Sequence, residues 1–329
     1  MKKIKIKFVD FWNNYIPEKR SIYQILSAKY EIVISDEPDY LFYGCFGYSH
    51  LNYNCVKIYV ATECIEPDFN VCDYAIGYSL LSYGDRYLYY PAAYEIGYKT
   101  SCELMLNKDE VEQDDYNKKS GFCAIVVSNG LNSDKMRNRL IDEINKYKRV
   151  DSGGRYRNNV GKPVKDKIEF QSHYKFSIAA ENMSSPGYVT EKIIESFASK
   201  TIPIYWGDPR ACEIYNPKAF IDCTKYSNIE EVVREIKRID ENEDEYFEMV
   251  NACPVNDPLK WNYEERQKVL GQFLFNIMEQ DLSKAKRVNC EAANKDYLLL
   301  MKDWRDAYKY SWQRFRKRIQ TIARRRYWH

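Results

Sequence analysis

The chain has 329 residues, 45% apolar and 30% charged, enough for two globular domains at about 150 residues each. Lys and Arg number 50 against 48 Asp and Glu, and the net charge of +2 argues against a dedicated nucleic-acid binder. That charge is unevenly placed: residues 302–329 carry ten basic and two acidic side chains, +8, which leaves −6 for residues 1–301.

In chain order, the first third alternates short strands with turns. Lys3 to Val9 sets Lys against Ile4, Ile6 and Phe8, the period-two pattern of a strand, and lacks the long apolar run of a secretion signal. Strands are also expected at Glu31 to Ser35, Tyr40 to Gly44, Val56 to Val60 and Tyr74 to Ile76, with a helix from Ser21 to Ala28. Asp36, Pro38 and Asp39 make one strand-ending turn, and Glu66-Pro67-Asp68 makes another. Residues 107–120 are polar apart from Val111 and read as a linker. Phe122 to Val127 opens a second unit as a strand, closed by the turn Ser128-Asn129-Gly130, and Ser133-Asp134 can cap a helix to about Tyr147. Phe176 to Ala180 and Thr201 to Trp206 are strands on either side of a helix, Glu191 to Lys200, with Thr190 as its N-cap. Asn228 and Glu231 begin another helix, whose stripe is Ile229, Val232, Val233, Ile236 and Ile239. Strand, helix, strand in this order predicts a parallel α/β sheet in each half.

Ten cysteines scatter without a Cys-x-x-Cys pair, and three histidines offer no zinc spacing. No run approaches the ~18 apolar residues of a membrane span. The expectation is a cytoplasmic enzyme with free thiols.

The chemistry concentrates in Ala180-Glu181-Asn182-Met183-Ser184-Ser185-Pro186-Gly187-Tyr188-Val189-Thr190-Glu191-Lys192. A strand ends, a loop of small residues follows, and a helix begins with unpaired N–H groups and a positive dipole end, a setting for phosphate. Lys192 in that first turn opposes the dipole unless an anion sits there, and Glu191 beside it can accept from sugar hydroxyls. An ordinary loop-to-helix junction with solvated charges explains the same residues, and the local pattern does not choose between the two.

This stretch, continued by Ile202-Pro203-Ile204-Tyr205-Trp206-Gly207, resembles the signature of glycosyltransferase family 10, the GDP-fucose-dependent α-1,3/4-fucosyltransferases. Ser128-Asn129, Arg137-Asn138 and Tyr147 to Gly154 resemble the family's upstream donor segment, and Asp73 to Gly77 with Asp85-Arg86-Tyr87 resemble the N-terminal part of bacterial members. The resemblance implies a GT-B fold of two Rossmann-like domains facing a central cleft. The expected division is an acceptor-binding domain over 1–118, a GDP-fucose-binding domain over 119–285 and a tail over 286–329.

It also implies direct displacement with inversion and no required metal, although some members are stimulated by manganese or magnesium. By position, Arg137 and Lys192 would bind the diphosphate, Glu191 the ribose, and Asn182 and Tyr188 the donor pocket. Glu63, in Ala61-Thr62-Glu63-Cys64-Ile65-Glu66-Pro67, falls where the family's proposed general base lies. The implied donor is GDP-fucose and the implied acceptor a Galβ1,4-GlcNAc-type glycan; an α-1,4 linkage or a catalytically idle glycan-binding protein are the alternatives. Ala180, Gly130 and Asp208 depart from the family's usual residues, which puts pocket shape in question more than the reaction. Tyr205 and Trp206 read as core packing, and His50 and His173 as structural residues.

Trp304, Tyr308, Trp312, Phe315, Ile319 and Ile322 recur at three- and four-residue steps among the basic residues of the C-terminal segment. This predicts a basic amphipathic helix that lies against an anionic membrane, peripheral at its inner face, with docking on the protein's own surface or on another copy as the alternative.

Overall fold

The computed structural model describes residues 1–128, 130, 133–288 and 297–307. The chain divides into two compact units: Met1–Tyr15, Lys29–Ile76 and the chain from Ile277 onward make one, and Ile16–Ala28 with Gly77–Asn276 make the other.

In the first unit, β1 (Lys3–Val9), β2 (Glu31–Ile34), β3 (Tyr40–Tyr43), β4 (Val56–Val60) and β5 (Tyr74–Gly77) lie in the order β2-β1-β3-β4-β5. All four pairings are parallel. A parallel strand is covered on both faces and reads as a continuous apolar run. Tyr40-Leu41-Phe42-Tyr43 is such a run, and all four side chains are buried. Asp73 closes this unit internally, accepting from the Lys57 backbone at 2.7 Å and from the backbones of Arg287 and Val288 at 2.6 and 2.7 Å.

The second unit opens with α1 (Ser21–Ser27) and continues through β6 (Tyr87–Tyr89), α2 (Lys99–Leu106) and α3 (Gln113–Lys118). Its sheet uses β7 (Gly121–Ile125), β8 (Val150–Ser152), β9 (Tyr174–Ala180), β10 (Ile202–Trp206) and β11 (Ile221–Asp222), in the order β11-β10-β9-β7-β8 and parallel throughout. Helices α4 (Lys135–Asn145), α5 (Lys167–Ser172), α6 (Glu191–Ala198), α7 (Ile229–Asp240), α8 (Glu243–Asn251) and α9 (Tyr263–Met278) complete it. Leu140, Ile141 and Ile144 of α4 and Val232, Ile236 and Ile239 of α7 share one core with Cys123, Ile125, Phe176 and Ile204 of the sheet. The α/β class with two parallel sheets is the one expected.

Two expectations need correction. Residues 107–120 are more than a linker: they contain α3, and Val111 is buried in the core, its backbone held by both ends of the Asn251 amide at 2.8 and 3.1 Å. Polarity along the segment concealed a single apolar anchor. The sequence reading also passed over α9, whose buried stripe of Leu270, Leu274, Ile277 and Met278 follows a charged first turn and a half. Of the tail expected over 286–329, residues 289–296 and 308–329 lie outside the described residues; residues 297–307 are helical.

Candidate functional site

Glu181 follows β9 directly, and its N–H donates to Trp206 O at 2.8 Å, extending the pairing with β10 by one residue. Its side chain is 0% exposed. One carboxylate oxygen accepts from the Thr190 N–H at 2.8 Å, and the other accepts from the Thr190 hydroxyl at 2.6 Å and from Lys192 Nζ at 2.9 Å. A buried carboxylate is tolerated only when it is paired and hydrogen-bonded, and Glu181 meets that condition by joining the strand end to the start of α6. Gly207 is required beside it, because a Cβ there would stand 2.5 Å from Glu181 Cγ.

Thr190 occupies the N-cap position as expected, but its hydroxyl does not cap the helix backbone. It donates to Glu181 and accepts from Lys192 Nζ at 2.7 Å. Lys192 also lies 3.4 Å from Glu191 Oε1. Burial alone would lower the Lys192 ammonium, but Glu181 and then Glu191 outweigh it and hold the group above its ordinary range. The converse holds for Glu191: burial would raise its carboxyl, while Lys192 and Lys167 bring it down to about 2. Lys192 therefore has local counter-charges, which removes the apparent conflict with the helix dipole.

Arg137 enters from the first turn of α4, a helix capped by the Asp134 side chain on the Met136 N–H at 2.8 Å. The residue is 1% exposed. Its Nη2 donates to Ala180 O at 2.9 Å and to Asn182 Oδ1 at 2.8 Å. Those contacts fix the guanidinium and the Asn182 amide relative to the strand end. Burial draws the guanidinium down from its ordinary range, and Glu181 and Glu191 are the leading charges that oppose this.

Arg137, Asn182, Glu191 and Lys192 line one cleft of about 380 Å³, together with Tyr98, Ser128, Lys167 and Glu195. Two other expected site residues are not in that lining, although the Tyr188 phenol acts on the charges of both Arg137 and Lys192. Tyr188 is buried, with its ring edge-on to Tyr78 at 4.9 Å. Glu63 belongs to the first unit, on the loop that follows β4. Tyr205 and Trp206 are buried in the second unit, as expected of core residues.

The sequence reading assigned no role to Glu181, Lys167, Glu195 or Tyr98. Glu195 stands one turn beyond Glu191 on α6 and was legible from that spacing. Lys167, which pairs with Glu195, comes from α5 and had no local signal. The cleft thus lodges three cations, Arg137, Lys167 and Lys192, beside the carboxylates of Glu181, Glu191 and Glu195. What it offers a polyanion is donors already held in position near the N-terminus of α6, a preorganised setting for charge.

Two family models match the chain. The alpha-(1,3)-fucosyltransferase FucT N-terminal domain matches residues 6–96, and the glycosyltransferase family 10 (fucosyltransferase) C-terminal model matches residues 116–281. The alpha-(1,3)-fucosyltransferase FucT of Helicobacter pylori is 33% identical over 320 residues, covering 84% of this chain and 66% of that protein. An alpha-(1,4)-fucosyltransferase of Arabidopsis thaliana is 35% identical over 77 residues, 23% of this chain and 19% of its own length. The chain thus spans just under two thirds of the H. pylori relative and less of the plant protein. Crystal structures of an alpha1,3-fucosyltransferase with GDP and with GDP-fucose superpose with TM-scores of 0.73 and 0.71, at 28% and 30% identity. They cover 88% and 85% of this chain, and 93% and 92% of their own.

Proposed function

The chain belongs to glycosyltransferase family 10, and from that premise we propose that it transfers L-fucose from GDP-β-L-fucose to O3 of the GlcNAc in a Galβ1,4-GlcNAc-type glycan, inverting the anomeric centre. The observation that carries the reading is the convergence of Arg137, Asn182, Glu191 and Lys192 on one cleft in a chain similar to fucosyltransferases crystallised with GDP and GDP-fucose.

In the proposed reaction the acceptor O3 attacks C1 of fucose as the C1–O bond to the β-phosphate breaks. The O3 proton passes to Glu63, and GDP departs with the electron pair. A positioned carboxylate base contributes about 10²–10⁴-fold to such a step. Negative charge that grows on the departing diphosphate is met by Arg137, Lys192 and the N-terminal end of α6, with no metal required by this scheme. Arg suits the role because its fork grips phosphate oxygens bidentately. Glu191 accepts from the ribose hydroxyls, and Asn182 and Tyr188 shape the donor pocket. Acceptor recognition falls to residues 1–118 and donor recognition to residues 119–285.

The test is to mix the full chain with GDP-fucose and N-acetyllactosamine and to follow GDP release and the fucosylated product. Stoichiometric GDP and an α-1,3-linked product are expected. GDP-fucose binding without turnover on any glycan would replace the enzyme with a sugar-nucleotide-binding protein, and an α-1,4 product would revise the linkage.

A further inference from the structure

At the carboxyl ends of β1 and β3 in the first unit, two loops are fastened together by Asp10. Its side chain accepts from the backbone N–H groups of Ser49 and His50 at 2.9 and 2.8 Å and from His50 Nδ1 at 2.8 Å. Its carbonyl oxygen accepts from the Phe46 N–H at 2.8 Å. Burial alone would raise the Asp10 carboxyl, but the side-chain and backbone hydrogen bonds from His50 and the one from Ser49 hold it below its ordinary range. Asp10 has φ of 59°, a strained setting that persists only where the surroundings over-determine it. Glycine is needed opposite, because a Cβ on Gly47 would lie 2.4 Å from Asp10 Oδ1. His50 is itself fixed, its ring stacked on Tyr43 at 4.1 Å.

This clamp presents aromatic rings to solvent. Trp12, Phe46 and Tyr48 are 37%, 50% and 46% exposed. Trp12 is braced edge-on by Tyr15 at 5.0 Å, and Tyr15 stacks on Phe11 at 4.0 Å. In a chain that is 30% charged, residues 11–15 and 44–50 contain no Lys, Arg, Asp or Glu, and they add the exposed amides Asn13 and Asn14. Ring faces with neutral amides and no charge suit a neutral, hydroxyl-rich ligand, whose C–H faces lie on rings and whose hydroxyls meet amides. Held rings supply contact area at little cost in conformational entropy. The surface also adjoins the loop of the proposed base. Cys45 Sγ lies 3.4 Å from Thr62 Oγ1, so the residues just before Phe46 and just before Glu63 touch.

We propose that the uncharged aromatic surface of residues 11–15 and 44–48, clamped by Asp10 and His50, is the platform on which the sugar rings of a neutral glycan acceptor lie beside Glu63. This rests on the transferase reading for the word acceptor, but the binding claim stands without turnover. Asp10 is a positioning residue, and Trp12, Phe46 and Tyr48 are the contact residues.

The test uses the full chain and the Phe46→Ala, Tyr48→Ala and Trp12→Ala variants, with N-acetyllactosamine, a sialylated counterpart and GDP as probes in calorimetry and saturation-transfer NMR. The expected result is a neutral-glycan affinity, and an acceptor KM, weakened at least about tenfold in the Phe46→Ala/Tyr48→Ala pair, with GDP affinity and melting temperature unchanged. Phe46→Tyr should restore binding. Neutral-glycan affinity unchanged in every variant, or no neutral glycan bound by the wild type, overturns the platform. Two outcomes separate it from the transferase reading: ring-dependent glycan binding without fucosyl transfer sinks the enzyme and keeps the platform. Fucosyl transfer with an unaltered acceptor KM in the variants does the reverse.

Discussion

The two units handle charge in opposite ways. At the strand ends of the second, Arg137, Lys167 and Lys192 line one cleft with Glu191 and Glu195, and the two lysines are paired with Glu181, Glu191 and Glu195. At the strand ends of the first, a single buried carboxylate, Asp10, is consumed in fastening two loops, and the surface those loops present carries no charge at all. A polyanion needs donors fixed before it arrives, since reorganising charges at the moment of reaction is costly. A neutral sugar needs shape and ring faces. The same parallel α/β plan, which offers ligands the carboxyl ends of its strands, presents these two surfaces by changing only what the loops carry.

The largest effect expected bears on Glu63, the one charge proposed to act from the neutral side. Glu63→Gln should lower turnover by about 10²–10⁴-fold while GDP-fucose affinity, measured by calorimetry, stays near wild type; near-normal turnover would remove Glu63 as the base. On the charged side, Glu181→Ala deletes a fully buried partner of Lys192. It should cost about 3–5 kcal/mol in urea unfolding, and Glu181→Leu combined with Lys192→Met should recover much of that loss. A cleft indifferent to Glu181→Ala would mean that its charges are not mutually held.

Lys192→Ala should weaken GDP binding by about 1.5–3 kcal/mol, the scale of a hydrogen bond to a charged group, with acceptor affinity unaltered. An unchanged GDP affinity would remove its phosphate role. The smallest effect is the pH response of Glu191. Its carboxyl titrates lower in the folded chain, at about 2, than its ordinary 4.5, so its stabilising contribution is complete above the ordinary value and fades as pH falls between the two. The melting-temperature gap between wild type and Glu191→Gln should therefore shrink between about pH 5 and pH 3. A gap that stayed constant would show that Glu191 is not held by Lys192 and Lys167.

Much of the cleft in the second unit was legible because it is local. The end of β9, the small-residue loop and the first turn of α6 are contiguous, and Ile193, Ile194 and Phe197 mark the buried face of the helix. Arg137 was found by its place in an ordered set of motifs. Glu181 stood in plain view within the motif, yet nothing local says that a carboxylate between Ala180 and Asn182 is buried while Glu191 keeps some exposure. Lys167 lies on a helix that the sequence reading did not assign. In the first unit, Asp10 and His50 are 40 residues apart, and His50 read simply as a structural residue.

The sequence by itself determined most of the strands, the helices α1, α4, α6 and α7, the parallel order they imply and the segment where charged and small residues gather, because periodicity, caps and turns act over a few neighbouring residues. Only the tertiary structure decided which charge neutralises which, and that Asp10 spends its carboxylate on a loop while Lys192 keeps counter-charges on both sides. Pairing and burial depend on distances that folding creates between residues far apart in the chain, and no local pattern contains those distances.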